Sequence, residues 1–199
     1  MEALFDPAFV QEANVSRRLP SADGLSYLAQ PEMRELIQAA LDLNWTLLGY
    51  EADVDSAPSE WEPLSNEFTN WREEEQARNL AGELETLPPD TKVLVWCGNG
   101  HLNKRTTEMR TWTWVPMGWH LRHITHIEPF AIDQTVTVTL DPSAAPDERT
   151  AIAALAPLLE EFGRTAGFLT EEAPEPWCRD GVDAVLLSLD NEMSKAGRP

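Results

Sequence analysis

Four short apolar runs interrupt an otherwise mixed sequence, and each is bounded by polar or turn-forming residues. Continuous apolar runs of this length are typical of strands that are buried on both faces of a sheet. They predict strands over 45–51, 92–98, 130–140 and 182–189. The run KVLVWCG over 92–98 gives the strongest of these predictions.

Segments with helical spacing of their apolar residues separate the four runs. Pro31 suits the first position of a helix, and apolar residues recur every three to four positions after it. The pattern predicts helices over 31–44, 66–87 and 150–168, and a short helix that holds Met117, Leu121 and Ile124. Residues 1–30 are predicted to be irregular, and 190–199 form a polar tail.

Strands that alternate with helices, each strand almost wholly apolar, are typical of a parallel sheet whose two faces are covered. We therefore expect the α/β class, with a mostly parallel central sheet and helices on both faces. A chain of 199 residues suits a single domain, so the expected domain is 1–199.

The charge of the chain narrows its possible partners. Fifteen Lys and Arg against 34 Asp and Glu give a formal net charge of −19. This charge repels phosphate backbones and anionic lipid headgroups, so we expect no nucleic-acid partner and no membrane partner. The N-terminus has no signal-peptide pattern and the chain has only two cysteines, which favours a cytoplasmic protein with reduced thiols. The sequence leaves the oligomeric state open.

Candidate chemistry lies where the predicted strands end, because ligands of α/β proteins bind at the carboxyl ends of strands. The run 92–98 leads into Asn99, Gly100 and His101, and a neutral imidazole there can act as a general base. Glu51 ends the run 45–51 and can orient such an imidazole. The alternatives are an ordinary turn at His101 and the first acid of a polar loop at Glu51.

A polar row on the predicted helix 66–87 joins these candidates. Arg72 and Gln76 are four residues apart and share a helix face, and Arg72 offers a bidentate fork to an anionic substrate group. The alternative is a solvated helix face. Trp112, Trp114 and Trp119 are expected to wall an apolar pocket beside His101.

We predict no metal site and no other cofactor. The histidines at 120, 123 and 126 do not converge on a helix, and no partner histidine is spaced for zinc beside His101. The alternative is a haem or metal ligand.

Five segments, taken in order, resemble one superfamily. They are GYE at 49–51, NWREEEQARNL at 70–80, KVLVWCGNGH at 92–101, VPMGWHL at 115–121 and PFAIDQT at 129–135. Together they resemble uncharacterised bacterial members of the erythromycin-esterase-like, ChaN-like and TraB/Tiki-like superfamily. The resemblance covers residues 31–138.

The resemblance implies roles for particular residues. His101 matches the strand-end histidine of the superfamily, Arg72 and Glu73 its helical Arg-acid pair, Glu51 its mid-domain glutamate and Asp133 the acid of its Asp-Gln-Thr element. The superfamily typically opens with a strand that carries a Gly-Glu-x-His motif, which residues 1–30 lack. We therefore expect either the later part of a longer protein or a shortened member with an incomplete site.

The functional expectation is a hydrolase-like protein with His101 as the general base and a small-molecule ligand. Glu51 or Asp133 would orient the imidazole, and Arg72 would anchor an anionic group of the substrate. The expected substrate contacts are Asn99, Glu73, Gln76, Trp112 and Trp114. The alternative is a non-enzymatic binding module for a tetrapyrrole, a metal or a protein partner, or an inactive truncated member.

Overall fold

The computed structural model describes residues 7–20, 28–98, 100–139, 155–163, 165–172 and 180–190. Helices cover Pro7–Ser16 (α1), Pro31–Asp42 (α2), Asn66–Thr86 (α3) and Met117–Thr125 (α4), and a fifth helix, α5, is described over 155–161. Short 3₁₀ turns cover Val54–Ser56 and Thr170–Glu172. Strands cover Thr107–Glu108 (β1), Thr113–Trp114 (β2), Ile132–Thr139 (β3), Thr165–Leu169 (β4) and Ala184–Asp190 (β5).

The strands of the described chain form two small sheets. β1 and β2 pair antiparallel, and the second sheet has the order β3-β5-β4. Within it β3 and β5 run parallel, whereas β4 runs antiparallel to β5. The prediction of a mostly parallel central sheet with helices on both faces is therefore wrong: the described residues form five helices with two small sheets, a two-stranded antiparallel one and a three-stranded mixed one.

The error comes mainly from two apolar runs, 45–51 and 92–98. Both are extended, but no main-chain hydrogen bond of the described residues pairs either of them with a strand. Neither run is buried on both sides, since Trp45 of the first is 45% exposed and Leu94 of the second is 69% exposed. A continuous apolar run favours extended backbone, but it does not supply the neighbouring strand that a sheet requires.

Two other segments differ from their predictions. Residues 7–16, expected to be irregular, form α1, in which Val10 and Ala13 are buried. The predicted helix 150–168 ends early, because residues 165–169 form β4 against β5. Gly163 lies between them with φ +77°, a left-handed conformation that commonly ends helices and is easily adopted by glycine. The helices α2, α3 and α4 and the strands β3 and β5 agree with the predicted segments to within a few residues.

Helix α3 is the element on which the site is built. It begins after Ser65, whose hydroxyl accepts a hydrogen bond from Phe68 N at 3.1 Å and so caps the helix. Its apolar face packs on α4 in a cluster of buried residues, which are Ala77, Leu80, Ala81, Met117 and Leu121. Half-buried Tyr50, Val95 and Cys97 lie against this cluster, so the inward side chains of both unpaired runs meet α3.

A second buried cluster lies between α5 and its sheet and consists of Leu155, Leu159, Val185 and Leu187. Lys104 connects this sheet to the loop that follows His101. Its ammonium group donates to Asp183 at 2.7 Å and to Glu128 at 2.8 Å, and its main-chain nitrogen donates to Gly181 O at 2.8 Å. Asp183 in turn accepts from Ala131 N at 2.7 Å, at the start of β3.

Candidate functional site

A buried carboxylate on α3 holds the histidine that ends the Gly98–His101 turn. Glu73 is only 2% exposed. His101 Nδ1 lies 2.8 Å from its carboxylate, Met117 N donates to Oε2 at 2.7 Å and Trp114 Nε1 donates to Oε1 at 3.3 Å. We call these four residues the Glu73 cluster. Met117 is the first residue of α4, so the positive end of that helix also faces the carboxylate.

The contact with Glu73 determines which nitrogen of His101 is available. A carboxylate only accepts hydrogen bonds, so Nδ1 carries the proton and donates it toward Glu73. In the neutral imidazole Nε2 is then the unprotonated nitrogen with a free lone pair. The side chain of His101 is 26% exposed, so the ring is partly open to solvent. This arrangement is the one that a general base requires.

Three glycines allow the backbone of this site to pack closely. A Cβ on Gly118 would lie 2.6 Å from Leu102 O, and the N–H of Gly118 donates to His101 O at 2.7 Å. A Cβ on Gly100 would lie 2.3 Å from Cη2 of Trp114. A Cβ on Gly98 would lie 3.2 Å from Cδ2 of His101, on the edge that carries Nε2. A side chain at position 98 or 100 would therefore disturb His101 or Trp114, and one at position 118 would push against the main chain of Leu102 and Asn103.

A second carboxylate, that of Glu51, is held by Arg72, which precedes Glu73 on α3. Arg72 makes a bidentate ion pair with Glu51, with Nε donating to Oε1 at 2.8 Å and Nη2 donating to Oε2. Gln76 Nε2 and Ala52 N also donate to Oε1, at 2.7 and 2.9 Å. We call these four residues the Glu51 cluster. Because Arg72 and Glu73 are consecutive, the two clusters lie side by side on one helix.

The environment of the clusters shifts three pKa values. Burial lowers the pKa of Arg72, but the hydrogen bond and charge of Glu51 outweigh burial, so the pKa is raised overall. Burial, with a smaller effect of the Glu73 charge, raises the pKa of the Cys97 thiol to about 11. Burial also raises the pKa of the Tyr50 phenol, which donates to Trp96 O at 2.7 Å. Cys97 and Tyr50 are therefore protonated at neutral pH, and neither is a ready nucleophile.

The predicted site residues divide between these clusters and other places. His101, Glu73 and Trp114 lie in the Glu73 cluster, and Glu51, Arg72 and Gln76 lie in the Glu51 cluster. Asp133 is buried in β3, where its Cα pairs with Val185 of β5. Trp112 is half-buried in the turn between β1 and β2, where its carbonyl accepts from Met109 N at 2.8 Å. Asn99 lies outside the described residues.

The structure differs from the sequence prediction in the partner of each ionic group. The carboxylate against His101 is that of Glu73, which was expected to contact substrate, whereas Glu51, expected to orient the imidazole, binds Arg72. The bidentate fork of Arg72, expected to anchor an anion, is occupied by Glu51. Met117 N was not predicted at all. Its backbone donor leaves no pattern in the sequence beyond Pro116 before the start of α4.

Two further properties concern the described residues only. They contain no group of three or more His, Cys, Asp or Glu side chains arranged to hold a metal ion. None of the helices among them combines the length and apolar character needed to cross a bilayer.

The chain matches no protein-family model, no curated protein and no solved structure. The resemblance to the erythromycin-esterase-like, ChaN-like and TraB/Tiki-like superfamily therefore stays a prediction from the sequence.

Proposed function

We propose that this chain is a hydrolase-like protein, the class that the erythromycin-esterase-like resemblance implies. His101 is its general base, and Glu73, rather than Glu51 or Asp133, positions the imidazole. The observation that carries the proposal is the 2.8 Å contact between His101 Nδ1 and the buried Glu73 carboxylate. It directs the basic nitrogen, Nε2, away from Glu73 on a ring that is partly open to solvent. The small number of cysteines, two in 199 residues, supports a cytoplasmic location for this activity.

In the proposed reaction, Nε2 of His101 takes a proton from water while the water oxygen bonds to an ester or lactone carbonyl carbon. The imidazolium that forms is stabilised by the negative charge of Glu73. Collapse of the tetrahedral intermediate breaks the bond to the leaving alkoxide, which takes the proton back from Nε2. The proton balance closes without a metal or redox cofactor.

A panel of small esters and lactones tests the proposal in three variants. His101→Ala should lower kcat/KM at least about 100-fold, because general base catalysis of this kind contributes that much or more. Glu73→Gln keeps the shape of the side chain but removes its charge, so it should lower kcat and change KM little. His123→Ala is the matched control, since His123 is exposed and stacks on Trp119. Equal activity of the wild type and His101→Ala would refute the proposal.

A non-enzymatic binding module is the second candidate, and one observation favours it. The extended run 92–98 carries exposed apolar side chains and main-chain groups that no described strand pairs. Such segments are typical of surfaces that bind a partner strand. A folded wild type that hydrolyses none of the panel would favour this candidate over the hydrolase.

A further inference from the structure

Asn70, near the start of α3, binds the main chain on both sides of Trp114. Its side-chain Nδ2 donates to Thr113 O at 2.9 Å, and its Oδ1 accepts from Val115 N at 3.0 Å. The two contacts fix the orientation of the half-buried amide, because its nitrogen faces an acceptor and its oxygen faces a donor. One side chain of α3 therefore ties the segment 113–115 to the helix.

The segment that Asn70 holds leads to two of the three donors of the Glu73 cluster. Trp114 lies between the two bound main-chain groups, and its indole Nε1 donates to Glu73 Oε1 at 3.3 Å. Pro116 follows the segment, and Met117, the first residue of α4, donates its N–H to Glu73 Oε2 at 2.7 Å. Asn70 and Glu73 are three residues apart on α3 and share a helix face. The same face of α3 thus binds the main chain of the segment and accepts from its donors.

The indole contact depends on where the main chain of Trp114 lies. Its length of 3.3 Å exceeds the usual N–H···O range of about 2.7–3.2 Å, so a small outward movement of the segment would break it. The strand β2 has only two residues and pairs with an equally short β1, and a ladder of this size is marginally stable. Within the described part of the chain, the hydrogen bonds that join 113–115 to α3 are the two of Asn70 and the indole contact itself.

We propose that Asn70 is a positioning residue that fixes the Glu73 carboxylate against His101. It acts through the segment 113–115, and its catalytic meaning rests on the proposed hydrolase function. With all three donors in place, the carboxylate is held in one orientation and His101 keeps its proton on Nδ1. Without Asn70 the two donors of the segment and of α4 move away, the carboxylate can rotate, and the imidazole is no longer restricted to that tautomer.

Nitrogen-15 NMR of the histidine rings at about pH 8, where an ordinary imidazole is neutral, detects the tautomer of His101 without any substrate. The wild type should show a protonated Nδ1 and an unprotonated Nε2, in the signals that His101→Ala removes. Asn70→Ala should add signals of the opposite tautomer. It should also speed solvent exchange of the Trp114 indole N–H about tenfold, the value of one net hydrogen bond. Trp114→Phe identifies the indole signal.

Asn79→Ala is the matched control. Asn79 also lies on α3 and donates to a main-chain carbonyl, Glu51 O at 3.0 Å, in the extended run 45–51. Both NMR signals should be unchanged in this variant. Asn70→Ser, which has a single polar side-chain atom in place of two, gives the same test if Asn70→Ala does not fold. Unchanged signals in the Asn70 variant, an equal change in Asn79→Ala, or a wild-type His101 with its proton on Nε2 would each overturn the proposal.

Turnover on the ester and lactone panel connects the position of Asn70 to catalysis. Asn70→Ala should lower kcat about tenfold or more and change KM little, because a misplacement of about 1 Å costs up to about 100-fold in rate. Asn79→Ala should keep the wild-type kcat. An active wild type whose kcat survives in Asn70→Ala overturns the proposal. A wild type that hydrolyses nothing refutes only the hydrolase, since the NMR signals still decide whether Asn70 positions Glu73 and His101.

Discussion

The Glu73 cluster and the Glu51 cluster are built from neighbouring residues of α3, yet they hold their carboxylates in opposite ways. Glu51 faces a guanidinium in a bidentate ion pair, so its charge is permanently balanced. Glu73 faces a main-chain N–H, an indole N–H and an imidazole, and of these three partners only the imidazole has a second nitrogen that can accept a proton.

The difference indicates a division of labour along one helix. A carboxylate that is paired with Arg72 stays fixed in charge and suits a structural or ligand-holding role. A carboxylate whose partner is His101 becomes part of a proton-transfer pair, because each protonation of the ring changes its interaction with the carboxylate. Two acids that look alike in the sequence therefore receive different chemistry from their partners.

The largest expected effect is on the stability of the Glu73 cluster. Glu73→Leu removes the acceptor of three donors, of which Met117 N is buried, and should lower the free energy of unfolding by about 3 kcal/mol. Glu73→Gln keeps an acceptor oxygen and should cost less. Urea unfolding followed by circular dichroism gives the values. The control is Glu74→Leu, at the next residue of α3, which should change stability by less than about 1 kcal/mol. Equal losses of unfolding free energy at positions 73 and 74 would contradict the role of Glu73 as the acceptor of these hydrogen bonds.

The next effect tests the packing that supports the Glu73 cluster. Gly100→Ala places a methyl group against the Trp114 ring and should cost about 1–3 kcal/mol, because the ring must move away from Glu73. Gly82→Ala is the control, since nothing lies within 4 Å of its added Cβ and alanine is the better helix former. Thermal unfolding of both variants measures the contrast. If the two substitutions have the same effect, the Trp114 contact does not hold the loop.

A smaller effect is expected for the ion pair of the Glu51 cluster. Arg72 is 34% exposed, so solvent screens the pair, and the coupling energy should be about 1 kcal/mol. A double-mutant cycle of Glu51→Gln and Arg72→Met, measured by urea unfolding, isolates that energy. Additive effects of the two substitutions would show that the pair contributes no net stability.

The smallest effect uses the thiol of Cys97 to detect the charge of Glu73. In a Cys178→Ser background, Cys97 is the single thiol and its pKa is raised to about 11. Its alkylation by iodoacetamide at pH 8 should therefore be at least about tenfold slower than that of a free cysteine.

Glu73→Gln should speed this alkylation, because the Glu73 charge helps to raise the pKa, whereas Glu51→Gln should leave the rate unchanged. The raised pKa also means that Cys97 contributes to stability below about pH 9 and that this contribution is lost as the pH rises toward 11. An equal acceleration by both substitutions would remove the distinction between the clusters.

The elements of the chain were predicted more accurately than their arrangement. Helical spacing located α3, because its apolar stripe packs on α4 as an amphipathic helix should. Residues 165–168 belong to the predicted helix 150–168, but Ala166 and Phe168 pack from β4 against the buried cluster between α5 and its sheet. Tertiary pairing with β5 overrode the local pattern there.

The sequence by itself determined the residue types that the site would use: a histidine at the end of an apolar run, and an arginine, two acids and a glutamine on or beside one helix. Helical spacing is a local property, so the shared face of Glu73 and Gln76 follows from the sequence. Only the tertiary structure decided that Glu73 contacts His101 and that Glu51 contacts Arg72. Partners 21 to 28 residues apart meet through the packing of α3, α4 and the loop at 98–103, which no short-range pattern encodes.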